Sequence, residues 1–311
     1  METNSPQMAN DEKRKAAFSS VLAAFLLTGL KLVVGIMTNS LGMLSEAAHS
    51  GLDLVAALVT FFAVRVSDKP ADEEHHYGHG KVENLSAFIE TILLLITCIW
   101  IIYEAIERLF FRKADVQAST WAFLVILTSI IVDISRSRML YRTAKKHNSQ
   151  ALEADALHFS TDVWSSCVVL LGLVGVFIAD KFPSLGFLER TDAIAALGVA
   201  LIVVWVSIQL GKRTICALLD AAPKGLDKQI KKCVENLEGV EDCHSIRIRP
   251  SGPKLFVDVH VTLDGNQTLT AAHRLTEKIE SEIQNISPDA DVTVHPEPVE
   301  YKAPSDESKR E

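Results

Sequence analysis

Six stretches of the chain stay apolar for long enough to cross a bilayer hydrocarbon core, which takes about 20 helical residues. They are Ala16 to Ile36, Leu41 to Val66, Leu85 to Leu109, Thr120 to Leu140, Ala156 to Ala179 and Ala193 to Leu210. After residue 212 the texture becomes that of a small soluble domain. LDKQIKKCVENLEG and TLTAAHRLTEKIESEIQNI repeat their apolar positions at helical spacing, CHSIRIRPSGPKLFVDVHVTLDG reads as two strands around a Ser-Gly-Pro turn, and ADVTVHPEP reads as a third strand. The expected fold class is an α-helical membrane protein: six transmembrane helices in residues 1–212, then a ferredoxin-like αββαβ domain, one strand short, in residues 213–298. Residues 299–311 form a charged tail expected to be disordered.

An even number of spans places both termini on one side, and basic residues near span ends favour the cytoplasm. Lys13, Arg14 and Lys15 precede the first span, Arg136, Arg138, Arg142, Lys145 and Lys146 surround the fourth-to-fifth connection, and Lys212 and Arg213 follow the sixth; Arg112 and Lys113 fall on the other side. The expectation is a multi-pass protein of a plasma or inner membrane with both termini cytoplasmic. No short apolar segment with a small-residue cleavage site precedes the first span, so no cleaved signal peptide is expected.

Composition adds exclusions. The 311 residues are 48% hydrophobic, with a positive mean hydropathy, more apolar than an average soluble domain. A formal net charge of −8 argues against nucleic acid as a partner, since phosphate binding needs a basic surface. Cys98, Cys167, Cys216, Cys233 and Cys243 are odd in number and lack a C-x-x-C spacing, which speaks against a disulfide framework and a structural zinc knuckle.

The chemistry sits where the apolar runs are interrupted. Within span two, Glu46, His49 and Asp53 occupy one helical stripe, and span five repeats the spacing with Asp155, His158 and Asp162. An intramembrane charge is costly and should face protein or water. Facing each other, the two stripes offer two imidazole nitrogens and two carboxylate oxygens, a set that suits a tetrahedral divalent ion. Zinc is the natural occupant, with iron, cobalt, cadmium or manganese as competitors. A helix-packing contact or a proton relay would use the same residues, and the recurrence in both halves favours metal. Asp72, His75, His76 and His79 crowd the loop after span two, which reads either as a metal site or as a solvated loop. In the second domain, strand alternation puts His260 on the face opposite Val257, Val259 and Val261. His244, His273 and His295 are further histidines there. Each alone reads as a surface residue, yet of the ten histidines only His147 falls outside these three clusters. Lys31 has room to snorkel to a span end, and Glu90 and Asp133 read as interhelical partners or pathway residues.

The strings HSGLD, HFSTD and DEEHHYGHGKVE, with the closing VTVHPEP, resemble the cation diffusion facilitator family over nearly the whole chain. The resemblance implies that His49, Asp53, His158 and Asp162 bind the transported ion, with the histidine at position 49 looking like the zinc-preferring type. It implies that Asp72, His75 and His79 are loop ligands, His76 standing where the family requires none. It further implies a metallochaperone-like tail with a cytosolic binuclear site at His244, His260, His273 and His295, with Glu297 where an aspartate bridge often stands. Lys81 and Asp220 match a charge pair tying loop to tail near a dimer axis. The implied activity is export of Zn2+ or a similar divalent ion in exchange for protons by a homodimer. A membrane-bound metal sensor without transport is the alternative. An enzyme is not expected, because H-E-x-x-H is missing and four ligands leave no open coordination position.

Overall fold

The computed structural model describes residues 6–38, 41–110, 120–181 and 188–299. Arg112, Lys113 and the charged tail beyond Val299 lie outside the described residues. The chain divides into two compact units between Leu218 and Leu219.

The first unit contains six long helices: α1 Pro6–Thr38, α2 Leu41–Ser67, α3 Lys81–Phe110, α4 Thr120–His147, α5 Gln150–Lys181 and α6 Leu188–Leu218. Each apolar stretch read from the sequence falls within one of them, and the helices extend past the apolar stretches by up to several turns. α6 carries helical structure through Lys212, so a boundary at that residue falls inside it. Among the described residues, four helices are long and apolar enough to cross a membrane, Met8–Thr38, Glu46–Ser67, Lys81–Glu107 and Leu197–Leu218. The remaining two, α4 and α5, carry buried ionisable residues, Asp133 and Arg136 in the middle of α4 and Asp155 and His158 in the first turns of α5.

α1 pairs mainly with α2, α4 with α5, and α3 with α6. Small residues fill the common core of α1, α2, α4 and α5: Ala16, Ala17, Ala24, Ala57, Ala144, Ala151 and Ala156 surround Leu140, Leu152 and Phe159. Helices in lipid gain nothing from hiding apolar side chains from one another, and close backbone approach through small residues holds them instead. On the α3–α6 side the approach is also close, since a Cβ at Gly211 would stand 3.0 Å from Thr91 Cγ2. Large apolar side chains such as Phe25, Ile36, Ile99, Trp100 and Trp205 point outward, as a lipid-facing surface requires.

The second unit follows the expected αββαβ order: α7 Leu226–Glu235, β1 Val240–Ser251, β2 Lys254–Leu263, α8 Leu269–Ile286 and β3 Ala290–Pro298. β2 is central, antiparallel to β1 and parallel to β3. Val257, Val259, Val261 and Leu263 point into a core closed by Ile230 and Val234 of α7 and Ile279 and Ile283 of α8. Thr268 starts α8 by accepting the Ala271 backbone N–H at 3.2 Å. The unit thus holds a complete core of its own. Ile279→Ala, which empties a fully buried position, is expected to destabilise the isolated tail by about 2–5 kcal/mol, read as a lower midpoint in urea unfolding.

Candidate metal centres

α2 and α5 bring their two stripes face to face. His158 Nε2 lies 3.2 Å from Asp53 Oδ1 and 3.8 Å from Asp162 Oδ2. His49 Nε2 lies 4.0 Å from Asp53 Oδ1 and 4.0 Å from Asp162 Oδ1. Each imidazole therefore faces both carboxylates in a closed ring of four. Ligand bonds of about 2.0–2.1 Å in a tetrahedron imply ligand atoms roughly 3.3 Å apart; the ligand atoms of His49, Asp53 and Asp162 already lie within 4.8 Å of one another, while His158 is not part of that mutually close group. Among the described residues the ring is unevenly exposed: the His49 side chain is 38% exposed and that of His158 is 4% exposed.

Lys31 does not snorkel. Its side chain is buried, and its ammonium donates to Ser50 Oγ at 2.7 Å and Glu46 Oε1 at 3.0 Å. Thr28 also donates to the Ser50 carbonyl at 2.9 Å, fixing α1 against the turn of α2 that carries His49. Glu46 is thereby a partner of Lys31 rather than a fifth member of the ring. Glu90 accepts a hydrogen bond from Thr60, joining α3 to α2, and Asp133 pairs with Arg136 on its own helix at 3.4 Å.

The second cluster folds within the α2–α3 loop. Asp72 Oδ1 accepts the backbone N–H of His75 at 2.7 Å and of Glu74 at 3.1 Å. Gly78 takes a positive φ of 74°, a left-handed conformation that glycine adopts without penalty. The loop turns back there, so His79 Nε2 comes to 3.4 Å from Asp72 Oδ2 and the two imidazole rings of His75 and His79 stand 4.3 Å apart. His76 turns away to the Glu73 carbonyl at 3.0 Å. The His75 backbone N–H, above all, holds the Asp72 carboxyl below its ordinary range, keeping it ionised and ready for a cation.

In the tail, strand register does most of the assembly. His244 pairs with His260 across β1 and β2, and His260 pairs with His295 across β2 and β3. A register shift between His244 and Arg247, with Ser245 at φ 51°, marks an irregularity beside this row. Glu297 closes it, with Oε1 2.8 Å from His260 Nδ1 and 3.8 Å from His295 Nε2, and Oε2 3.3 Å from His244 Nε2. The His260 hydrogen bond is the main reason the Glu297 carboxyl is held low. His273 is not brought into this group: it lies on α8, its side chain 70% exposed, 3.6 Å from Glu277. Asp242, absent from the sequence reading, lies 3.0 Å from His244 Nδ1, so His244 is oriented with Nε2 toward Glu297. The Asp-x-His spacing on a strand was the available signal, since alternate residues share a face.

Two sequence families of known proteins match this chain. The description "Cation efflux transmembrane domain" matches residues 17–219 and "Cation efflux protein, cytoplasmic domain" matches residues 223–299. A relative named cation-efflux pump FieF from Yersinia enterocolitica is 31% identical over 94% of this chain and 95% of its own length. An uncharacterized transporter from Synechocystis is 34% identical over 92% and 91%. The cation-efflux pump FieF of Serratia proteamaculans is 30% identical over 94% and 95%.

A carboxyl held low in the folded state contributes stability that is present above the ordinary carboxylate range and lost as pH falls through and below it. Glu297→Gln is therefore expected to leave the metal-free tail less stable than wild type at neutral pH, the two curves converging in acid. Thermal unfolding followed by circular dichroism across a pH series checks this, and parallel curves at all pH values would remove the His260–Glu297 pair as the cause.

Proposed function

We propose that this chain, which belongs to the cation efflux family and is a transporter rather than an enzyme, carries Zn2+ or a chemically similar divalent ion out of the cytosol in exchange for protons, as a homodimer with both termini cytoplasmic. The observation that carries the reading is the ring of His49, Asp53, His158 and Asp162 inside the helix bundle. Two ionised carboxylates and two neutral imidazoles sum to −2, the charge that a divalent cation balances, and nitrogen with oxygen donors suits zinc ahead of magnesium or calcium.

Proton exchange follows from the donors. An imidazole binds metal only when deprotonated, so protons compete with the ion for the same nitrogen atoms. A ring reached alternately from the two sides fills from the neutral cytosol and is discharged where protons are plentiful. The loop cluster at Asp72, His75 and His79 and the tail cluster at His244, His260, His295 and Glu297 lie outside the membrane helices. Metal bound there stabilises whichever dimer geometry holds it, by mass action, and this supports a regulatory role for both. His273, exposed beside Glu277 on α8, is left out of that role.

Asp162→Ala or Asp53→Ala is expected to reduce pH-gradient-driven zinc flux in proteoliposomes to that of protein-free vesicles, with dimerisation intact. Near wild-type flux in either variant would sink the four-ligand site, and zinc binding without flux in the wild type would favour a sensor. His49→Asp replaces a borderline nitrogen with a hard oxygen, so discrimination against manganese and cadmium is expected to weaken in competition assays. His260→Ala is expected to lower zinc affinity of the tail by about 10-fold or more while reducing flux only in part.

A further inference from the structure

Arg136 stands apart from the other basic residues of α4. Arg138, Arg142, Lys145 and Lys146 are exposed, whereas Arg136 is 4% exposed. An arginine inside an apolar bundle costs at least about 2.5–3.5 kcal/mol on insertion scales and marks a functional place by default. Its guanidinium is held on three sides. Nη1 lies 3.4 Å from Asp133 Oδ1, Nη2 donates to Ser20 Oγ at 3.0 Å, and Cζ lies 3.5 Å over the centre of the Phe159 ring. Ser20 in turn donates to Asp155 Oδ2 at 3.1 Å.

These residues form a layer next to the metal ring. Asp155 is fully buried and stands one helical turn before His158 on α5. The Phe159 ring is edge-on to His158 with centroids 5.5 Å apart. The layer lies toward the N-terminal end of α5, the end at which Lys13 of α1 meets Asp68 and Glu83 at 2.7 and 3.1 Å, which is the cytosolic end in the orientation proposed above. Among the described residues, Arg136 Nε, Asp155 Oδ1 and His158 Nδ1 are buried without a hydrogen-bond partner. Buried polar atoms are normally satisfied, so the layer is better suited to exchanging partners than to static packing.

We propose that Arg136 is a tethered cation that stoppers the cytosolic side of the ring, standing where a divalent ion on its way between cytosol and ring would meet Asp155. This rests on the export reading. Guanidinium and metal ion repel each other, and the guanidinium is linked to Asp155 through Ser20, whose hydroxyl accepts from Nη2 and donates to Asp155 Oδ2, so Asp155 becomes a relay ligand only after Arg136 leaves, and an ion already in the ring has no way back while Arg136 stays. A guanidinium suits the task because one flat group stacks on Phe159 and forks to Asp133 and Ser20 together, which an ammonium does not do. Arg136 is a positioning residue in this scheme and touches no ion in the ring.

The test uses the full chain in proteoliposomes with zinc alone as the probe and no imposed pH gradient. Arg136→Gln is expected to speed passive zinc equilibration at least tenfold while gradient-driven accumulation falls, and Arg136→Lys to fall between it and wild type. The double variant Arg136→Gln with Asp155→Asn, which removes guanidinium and carboxylate together, serves where the single variant does not fold, with a leak expected above wild type but below that of Arg136→Gln, since the relay carboxylate is gone with the stopper. Wild-type passive rates in Arg136→Lys and in whichever glutamine variant folds overturn the proposal. A second readout needs no transport: Ala24→Cys, one turn along α1 from Ser20 and buried, is placed in a chain whose native cysteines are replaced by serine. It is expected to resist an impermeant maleimide applied from the cytosolic side and to react at least tenfold faster once Arg136→Gln is added. A wild type that moves no zinc sinks the export reading instead, and the labelling then decides on Arg136: equal, slow reaction in both backgrounds overturns the stopper.

Discussion

An ionised side chain inside an apolar bundle is tolerable only beside a partner, and that requirement organises the membrane unit. Lys31 meets Glu46 and Ser50, Arg136 meets Asp133 and Ser20, and Lys13 meets Asp68 and Glu83, each through contacts of 3.4 Å or less. Among the described residues, Asp53 and Asp162 form ion pairs only with imidazoles. The other buried acids described in the bundle, Glu83, Glu90, Asp133 and Asp155, each have a fixed cation or a hydroxyl. In the proposed function the two ring carboxylates are left for the cation that comes and goes.

The pairs also define what has to move. Lys13, Arg14, Asp68, Glu83, Ser67 and Ser149 join α1, α2, α3 and the start of α5 in one buried network, while Lys31 ties α1 to α2 at the other end. Exposure of the ring at His49 and closure at His158 place the opening on the Lys31 side. In the alternating-access scheme proposed above, one set of charge contacts loosens while another holds, which discrete pairs permit more readily than a continuous apolar interface.

The fold of both units was legible in the sequence because period and length report directly on lipid and on strand faces: six apolar runs became six long helices, and the alternation around Val257, Val259 and Val261 became the inner face of β2. The paired His/Asp spacing told which four residues share helical stripes. The His273 reading was less secure, since a helix position says nothing about whether the helix end reaches a sheet edge, and in the structure it pairs with Glu277 instead.

What the sequence determined by itself is therefore what rests on local spacing: the apolar helices, the αββαβ order, the two His/Asp stripes and the crowding of acids and histidines from Asp72 to His79. What only the tertiary structure decided rests on contacts between distant segments. Arg136 reads as one more basic residue at a membrane edge, and its place over Phe159 and beside Ser20 depends on α1, α4 and α5 meeting. The row of His244, His260 and His295 depends on the register of three strands, and register is set by packing against the core rather than by any one strand's own pattern.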